Sequence, residues 1–133
     1  MAETKKKILL VDDAADIVTV IRMRLESSGY EVIVARDGKE ALNTARSLRP
    51  DLIVLDLMLP GMDGFHVARM LKYDAQYKDI PIIMLTAKAG ESDRKTGAEV
   101  GADAFMNKPF EAEKLLAKIR ELLAARNPDN HEK

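Results

Sequence analysis

The sequence predicts a doubly wound α/β domain in which five parallel strands form one sheet and each strand is followed by a helix. Three observations carry this expectation. Five short apolar runs alternate with longer mixed segments. The first, third and fourth runs are apolar almost throughout, as strands covered on both faces must be. The chain's 133 residues suffice for one core but not for two. Strand–helix alternation repeated five times puts helices on both faces of the sheet through right-handed crossovers.

The first run is KILLV, Lys7 to Val11. In the helical segment after it, Ile17, Ile21 and Leu25 share one face at i,i+4 spacing, with Val20 and Arg24 beside them, and Gly29 stops the helix. The second run, YEVIVA (Tyr30 to Ala35), leads to a helix marked by Ala41, Leu42, Ala45 and Leu48. Asp37 is its expected N-cap and Pro50 ends it. The third, LIVLD (Leu52 to Asp56), is followed by turn residues Pro60-Gly61 and Asp63-Gly64, then by Phe65, Ala68 and Leu71 on one helical face. The fourth, IPIIMLT (Ile80 to Thr86), carries Pro81 at its start, where a missing N–H matters least. Its helix, around Glu91 to Val100, is polar, and Gly97 inside it costs about 1 kcal/mol relative to Ala. It is expected to be the least rigid element. The fifth run, ADAFMN (Ala102 to Asn107), is weaker. The last helix is the clearest, with Leu115, Leu116, Ile119, Leu122 and Leu123 forming a broad apolar stripe.

Composition narrows the function. Hydrophobic residues make up 47% and charged residues 32%, the balance of a globular domain. The absence of cysteine excludes disulfides, thiolate catalysis and cysteine zinc sites, and is compatible with the expected cytoplasmic location. His66 and His131 are too few for a histidine-rich metal site. The apolar runs fall far short of the roughly 20 residues that span a bilayer, so no membrane association is expected. The opening MAETKKKILL runs into paired aspartates, unlike a signal peptide. A net charge of -1 gives no reason for direct nucleic-acid binding, and Lys5, Lys6 and Lys7 read as a solubilising flank.

In folds of this class ligands sit outside the C-terminal ends of the strands, and there the sequence concentrates its chemistry. The first strand ends in Asp12 and Asp13, the third in Asp56, the fourth in Thr86 and the fifth in Lys108. Singly, each has an ordinary reading: a helix cap, a turn aspartate, a β-branched strand end, a surface lysine. Together they bring three carboxylates to one place, and like charges repel unless compensated. A hard divalent cation such as Mg²⁺ compensates them, taking oxygen ligands and leaving room for phosphate. A carboxylate can also act as a nucleophile and form an aspartyl phosphate.

These segments resemble the receiver domain of two-component response regulators over roughly residues 6 to 125. The resemblance is carried by ILLVDD, DLIVLDLMLPGMDG, IIMLTA, GADAFMNKPF and the leucine-rich last helix, in that order and at the expected spacing. It implies a flavodoxin-like (βα)5 fold with strand order 2-1-3-4-5. A receiver domain is expected over residues 1–126, and because the tail NPDNHEK over 127–133 is polar and contains a proline, no second domain is expected in this chain. Asp56 is then the phosphoacceptor. Asp13, Asp56 and the backbone carbonyl of Met58 ligate Mg²⁺, and Asp12 acts through an intervening water. Lys108 pairs with Asp56 at rest and with the phosphoryl group afterwards. Thr86 moves toward that group, and Phe105 is the switch aromatic that turns inward as Thr86 moves. Ala87 leaves the site open, and the Lys108-Pro109 bond is cis in the family.

The resemblance further implies a sensor histidine kinase or histidine phosphotransfer protein as donor, with acetyl phosphate as a small substitute. The chain would thus catalyse its own phosphorylation and dephosphorylation while serving mainly as a signalling switch. Its output surface would be the fourth helix, fifth strand and fifth helix, acting on an unidentified partner or through a homodimer. DLMLPGMDG and the last helix are similar to receivers of winged-helix transcriptional regulators. Departures from the family pattern are Ala104, where many relatives are acidic, and Asn107 before the lysine. By the same resemblance, Met58 and Lys88 would flank the pocket and bear on phosphoryl lifetime. An aspartyl-phosphate hydrolase would need an acid where Met58 stands, and a flavodoxin-type carrier would have its FMN phosphate repelled by DDAAD. The alternative is a receiver-like interaction module not regulated by phosphorylation.

Overall fold

The computed structural model describes residues 5–86, 91–108 and 111–126. Ten elements alternate: β1 (Lys7–Val11), α1 (Ala15–Ser27), β2 (Glu31–Ala35), α2 (Gly38–Leu48), β3 (Leu52–Asp56), α3 (Gly64–Lys72), β4 (Ile82–Thr86), α4 (Glu91–Glu99), β5 (Ala104–Asn107) and α5 (Ala112–Arg126). All strand pairs are parallel, and the order is β2-β1-β3-β4-β5. The expected fold and strand order are both present. Three strands begin later than their apolar runs suggest, and Pro81 lies just before β4, where its carbonyl accepts from Ile53 N–H at 3.0 Å.

Period-two alternation divides the apolar residues between two cores. Leu9, Val11, Ile53, Leu55, Ile82 and Met84 face α2 and α3, meeting Leu42, Ala45, Val67 and Leu71. Ile8, Leu10, Leu52, Val54, Ile83 and Leu85 face α1 and α5, meeting Ile21, Leu25, Leu115 and Ile119. This double coverage is why the central strands read as unbroken apolar runs. In β5, Phe105 packs with the first core while Ala104 and Met106 pack with the second.

Local chemistry sets the helix ends. The Asp37 side chain caps α2 by accepting from Glu40 N–H at 2.8 Å, and Glu40 Oε1 accepts from Arg36 N–H at 2.9 Å. Asp63 caps α3 through His66 N–H at 2.9 Å. α1 stops at Ser27, and Gly29 takes the left-handed conformation that the turn into β2 requires (φ 96°). At the end of α2 the left-handed residue is Arg49 (φ 47°), directly before Pro50.

At the N-terminal end of the sheet, β4 and the entry to β5 are tied by a polar knot. Asp103 N–H donates to the Ile82 carbonyl, and Ile82 N–H donates back to Asp103 Oδ2, both at 2.8 Å. The same Oδ2 accepts from Lys72 Nζ at 2.9 Å, and that ammonium also donates to the carbonyls of Lys78 and Ile80. Ala87, Lys88, the Lys108-Pro109 bond and the tail 127–133 lie outside the described residues.

Candidate functional site

The five polar residues singled out at the strand ends meet at the C-terminal edge of the sheet. Asp12 follows β1 and is buried at 1% exposure, Asp56 ends β3 at 5% and Thr86 ends β4 at 1%, whereas Asp13 is exposed. Asp12, Asp13 and Asp56 each offer a carboxylate oxygen, and these oxygens lie within 4.8 Å of one another. Neither Asp12 nor Asp13 caps α1. That position is Ala14, which makes no side-chain cap bond, and Asp12 Oδ1 instead accepts from Ala14 N–H at 2.9 Å.

Lys108 reaches into the cluster from the end of β5. Its Nζ lies 3.0 Å from Asp12 Oδ2 and 3.4 Å from Asp56 Oδ2, so the expected Asp56 pairing is present and Asp12 holds the shorter contact. The Lys108 N–H donates to the Thr86 carbonyl at 2.6 Å, joining the backbones that carry the ammonium and the hydroxyl. Met58 N–H donates to Asp56 Oδ1 at 3.2 Å, and the Met58 side chain is 72% exposed, outside the cluster. Thr86 lies two residues beyond Met84 on β4, and Met84 pairs with Phe105 in register. Alternation therefore puts Thr86, Met84 and Phe105 on one face of the sheet.

The electrostatics are tense. Burial raises the pKa of Asp56 most strongly and the Asp12 charge adds to it; the Lys108 charge and the Met58 N–H pull the other way without prevailing. Burial acts against the Lys108 ammonium, but its hydrogen bond to Asp12 and the charges of Asp56 and Asp12 outweigh that and raise its pKa. Three carboxylates against one ammonium leave two uncompensated negative charges when all are ionised. The donors are hard oxygens without nitrogen or sulfur, and they can coordinate a divalent metal.

One positioning residue was legible only as a turn signal. Gly64 has no positive φ; it is required because a Cβ there would lie 2.7 Å from the Asp56 carbonyl and 2.9 Å from Leu57 Cα. The start of α3 thus packs directly on the backbone that carries Asp56. Gly61 (φ 80°) supplies the turn itself.

Fold and site together define a class: α/β domains that gather acidic side chains at the strand ends around an inward-reaching lysine. Residues 8–120 match the response regulator receiver domain, and the chain belongs to that family, the phosphoaccepting domains of two-component signalling. It is 50% identical over 118 residues to the alkaline phosphatase synthesis transcriptional regulatory protein PhoP of Bacillus subtilis, a match covering 89% of this chain and 48% of that protein. The chain spans about half the length of the curated relatives it matches. Among solved structures it is similar to the chemotaxis response regulator CheY4 of Vibrio cholerae (TM-score 0.84, 38% identity, 90% of this chain and 99% of that one). The receiver domain of the sensor histidine kinase PA1611 from Pseudomonas aeruginosa matches at TM-score 0.84 and 33% identity over 91% of this chain and 99% of its own. That structure holds a magnesium ion coordinated in the active site cleft.

Proposed function

We propose that Asp56 accepts a phosphoryl group from a phosphohistidine on a sensor kinase or phosphotransfer protein, and that the receiver unit spans residues 1–126 with a polar tail over 127–133. The carrying observation is the buried Asp56 carboxylate, flanked by two further aspartates and contacted by Lys108. Asp13, Asp56 and the Met58 carbonyl would hold Mg²⁺ directly, with Asp12 acting at one remove. The ion supplies positive charge against the phosphoryl oxygens, lowering the barrier to in-line transfer.

Asp56 attacks phosphorus as the N–P bond of the donor breaks and the imidazole leaves with its electron pair. A carboxylate that burial disfavours in its charged form is poorly solvated, and so is ready to share its charge with an incoming electrophile. Lys108 stands against Asp56 Oδ2 beforehand and turns to the phosphoryl oxygens afterwards. The acyl phosphate brings a charge of about -2. Thr86 closes on it with its hydroxyl, and Phe105, on the same sheet face, is then held inward behind it. The surface of α4, β5 and α5 then shifts its population toward a second form, which a partner or a second copy of the chain recognises.

The donor has a place to dock. Val20 and Met23 are exposed on α1, and a groove of about 340 Å³ between α1 and α5, lined by Ile17, Ile21, Leu116 and Lys108, opens beside the site. A cytoplasmic location follows from this role; among the described residues no helix is long and apolar enough to cross a membrane.

The test is intact mass after incubation with acetyl phosphate and Mg²⁺. A gain of about 80 Da, one phosphoryl group, is expected, and it should be absent in Asp56→Ala and with EDTA. Folded protein that gains nothing from acetyl phosphate or from a phosphohistidine donor would be an interaction module instead.

A further inference from the structure

Gly97 sits inside α4, where a residue with a side chain would make the better helix. Its surroundings explain the choice. A Cβ built there would stand 2.8 Å from Cδ2 and 3.0 Å from Cε2 of Phe105, and 3.7 Å from Met84 Sδ. Gly97 is buried, and the edge of the Phe105 ring occupies the space a side chain would need. The backbone reinforces the contact, because the Gly97 carbonyl accepts from Ala102 N–H at 2.9 Å on the way into β5. The helix that bears the notch and the strand that bears the ring are therefore joined three residues before the ring itself.

We propose that Gly97 is a positioning residue of the switch: the bare backbone of α4 at this point is the seat that admits the inward Phe105 ring and so permits the phosphorylated form. The inference rests on Phe105 being the switch aromatic. Thr86, Met84 and Phe105 share one face of the sheet, and α4 closes over that face at Gly97. A methyl group at 97 takes the seat. The ring then turns outward, Thr86 loses the aromatic that follows it, and the form favouring the acyl phosphate is depleted. Helix propensity alone makes the opposite statement about stability, since alanine in place of an interior glycine ordinarily stabilises.

A double-mutant cycle separates the two. Gly97→Ala, Phe105→Ala and the double variant are melted, and each is phosphorylated with acetyl phosphate and Mg²⁺ at equal donor concentration. Gly97→Ala alone is expected to leave the melting temperature level or lower and to reduce the phosphorylated fraction about fivefold, the low end of ordinary coupling between sites. In the Phe105→Ala background the same change should raise the melting temperature by several degrees and leave phosphorylation unaltered. Should Phe105→Ala not fold, Phe105→Leu takes its place. Equal effects of Gly97→Ala in both backgrounds, or an unchanged phosphorylated fraction, would overturn the proposal. If the wild-type chain itself takes no phosphoryl group, the phosphoacceptor reading fails before any variant is compared, and the positioning role falls with it.

Discussion

Neutralising Asp56 should make the metal-free protein more stable, not less. The Asp12 and Asp56 carboxylates offer oxygens no more than 4.8 Å apart; at an effective dielectric near 20 that is a repulsion of about 3.5 kcal/mol. Lys108, 3.4 Å from Asp56, returns about 5 kcal/mol on the same scale. The exposed Asp13 is screened by solvent and adds little. The pair terms leave the lysine ahead by about 1.5 kcal/mol, and burial decides the sign. It is the largest influence on Asp56 and raises its pKa.

Asp56→Asn keeps the shape and removes the charge, so a gain of roughly 1–2 kcal/mol, the low end for replacing a poorly compensated buried charge, is expected at neutral pH in EDTA. For a chain of this size that is a rise of roughly 3–10 °C in Tm. The pH dependence has a definite sign. The folded pKa is raised, so the stability associated with Asp56 is present below the ordinary carboxylate value and lost as pH rises through the raised one. The gap between variant and wild type should accordingly close on acidification through that window. Thermal melts across pH, with EDTA and then with excess Mg²⁺, make the measurement. Mg²⁺ should raise the wild-type Tm more than that of the variant. An Asn variant less stable than wild type in EDTA at pH 7.5 would refute the reasoning, because it would mean the Lys108 pairing outweighs burial.

Three further outcomes are expected. Lys108→Met should cost about 2–3 kcal/mol in urea denaturation, since it strips buried Asp12 of its cation; in the wild type the lysine's contribution should be lost only as pH rises through its raised pKa. Gly64→Ala should lower stability by about 1–3 kcal/mol in the same assay, because the atoms a Cβ would strike are backbone and yield poorly. Val20→Lys together with Met23→Lys should slow transfer from the cognate kinase about tenfold, the effect of roughly 1.4 kcal/mol, while phosphorylation by acetyl phosphate stays at the wild-type rate. Equal losses with both donors would remove α1 from the docking surface.

Much of this was legible from sequence because the topology does the assembling. Once five runs were read as parallel strands, the residues after them had to share one edge, and Asp12, Asp13, Asp56, Thr86 and Lys108 do so. What the sequence could not show was contact at van der Waals range. Gly64 read as a turn glycine, yet its reason is the Asp56 backbone pressed against it. Gly97 read as a weak point in a polar helix, yet it faces an aromatic ring eight positions along the chain. Arg49 gave no signal for its left-handed backbone, since the usual marker there is glycine. The preference of Lys108 for Asp12 over Asp56 is likewise a matter of tenths of an ångström.

The knot of Lys72 and Asp103 lies at the far end of the sheet from all this chemistry. It pins the entry of β5 to the entry of β4, leaving the reactive groups on the opposite tips of the same two strands. A beam held at one end answers a force by deflecting at the other. Without the clamp, β5 could slide along β4 instead, and a slip of one residue would turn every β5 side chain to the other face. Phe105 would then point at α1 and α5 rather than α4. The knot therefore fixes the register that sets Phe105 against α4 rather than against the opposite pair of helices.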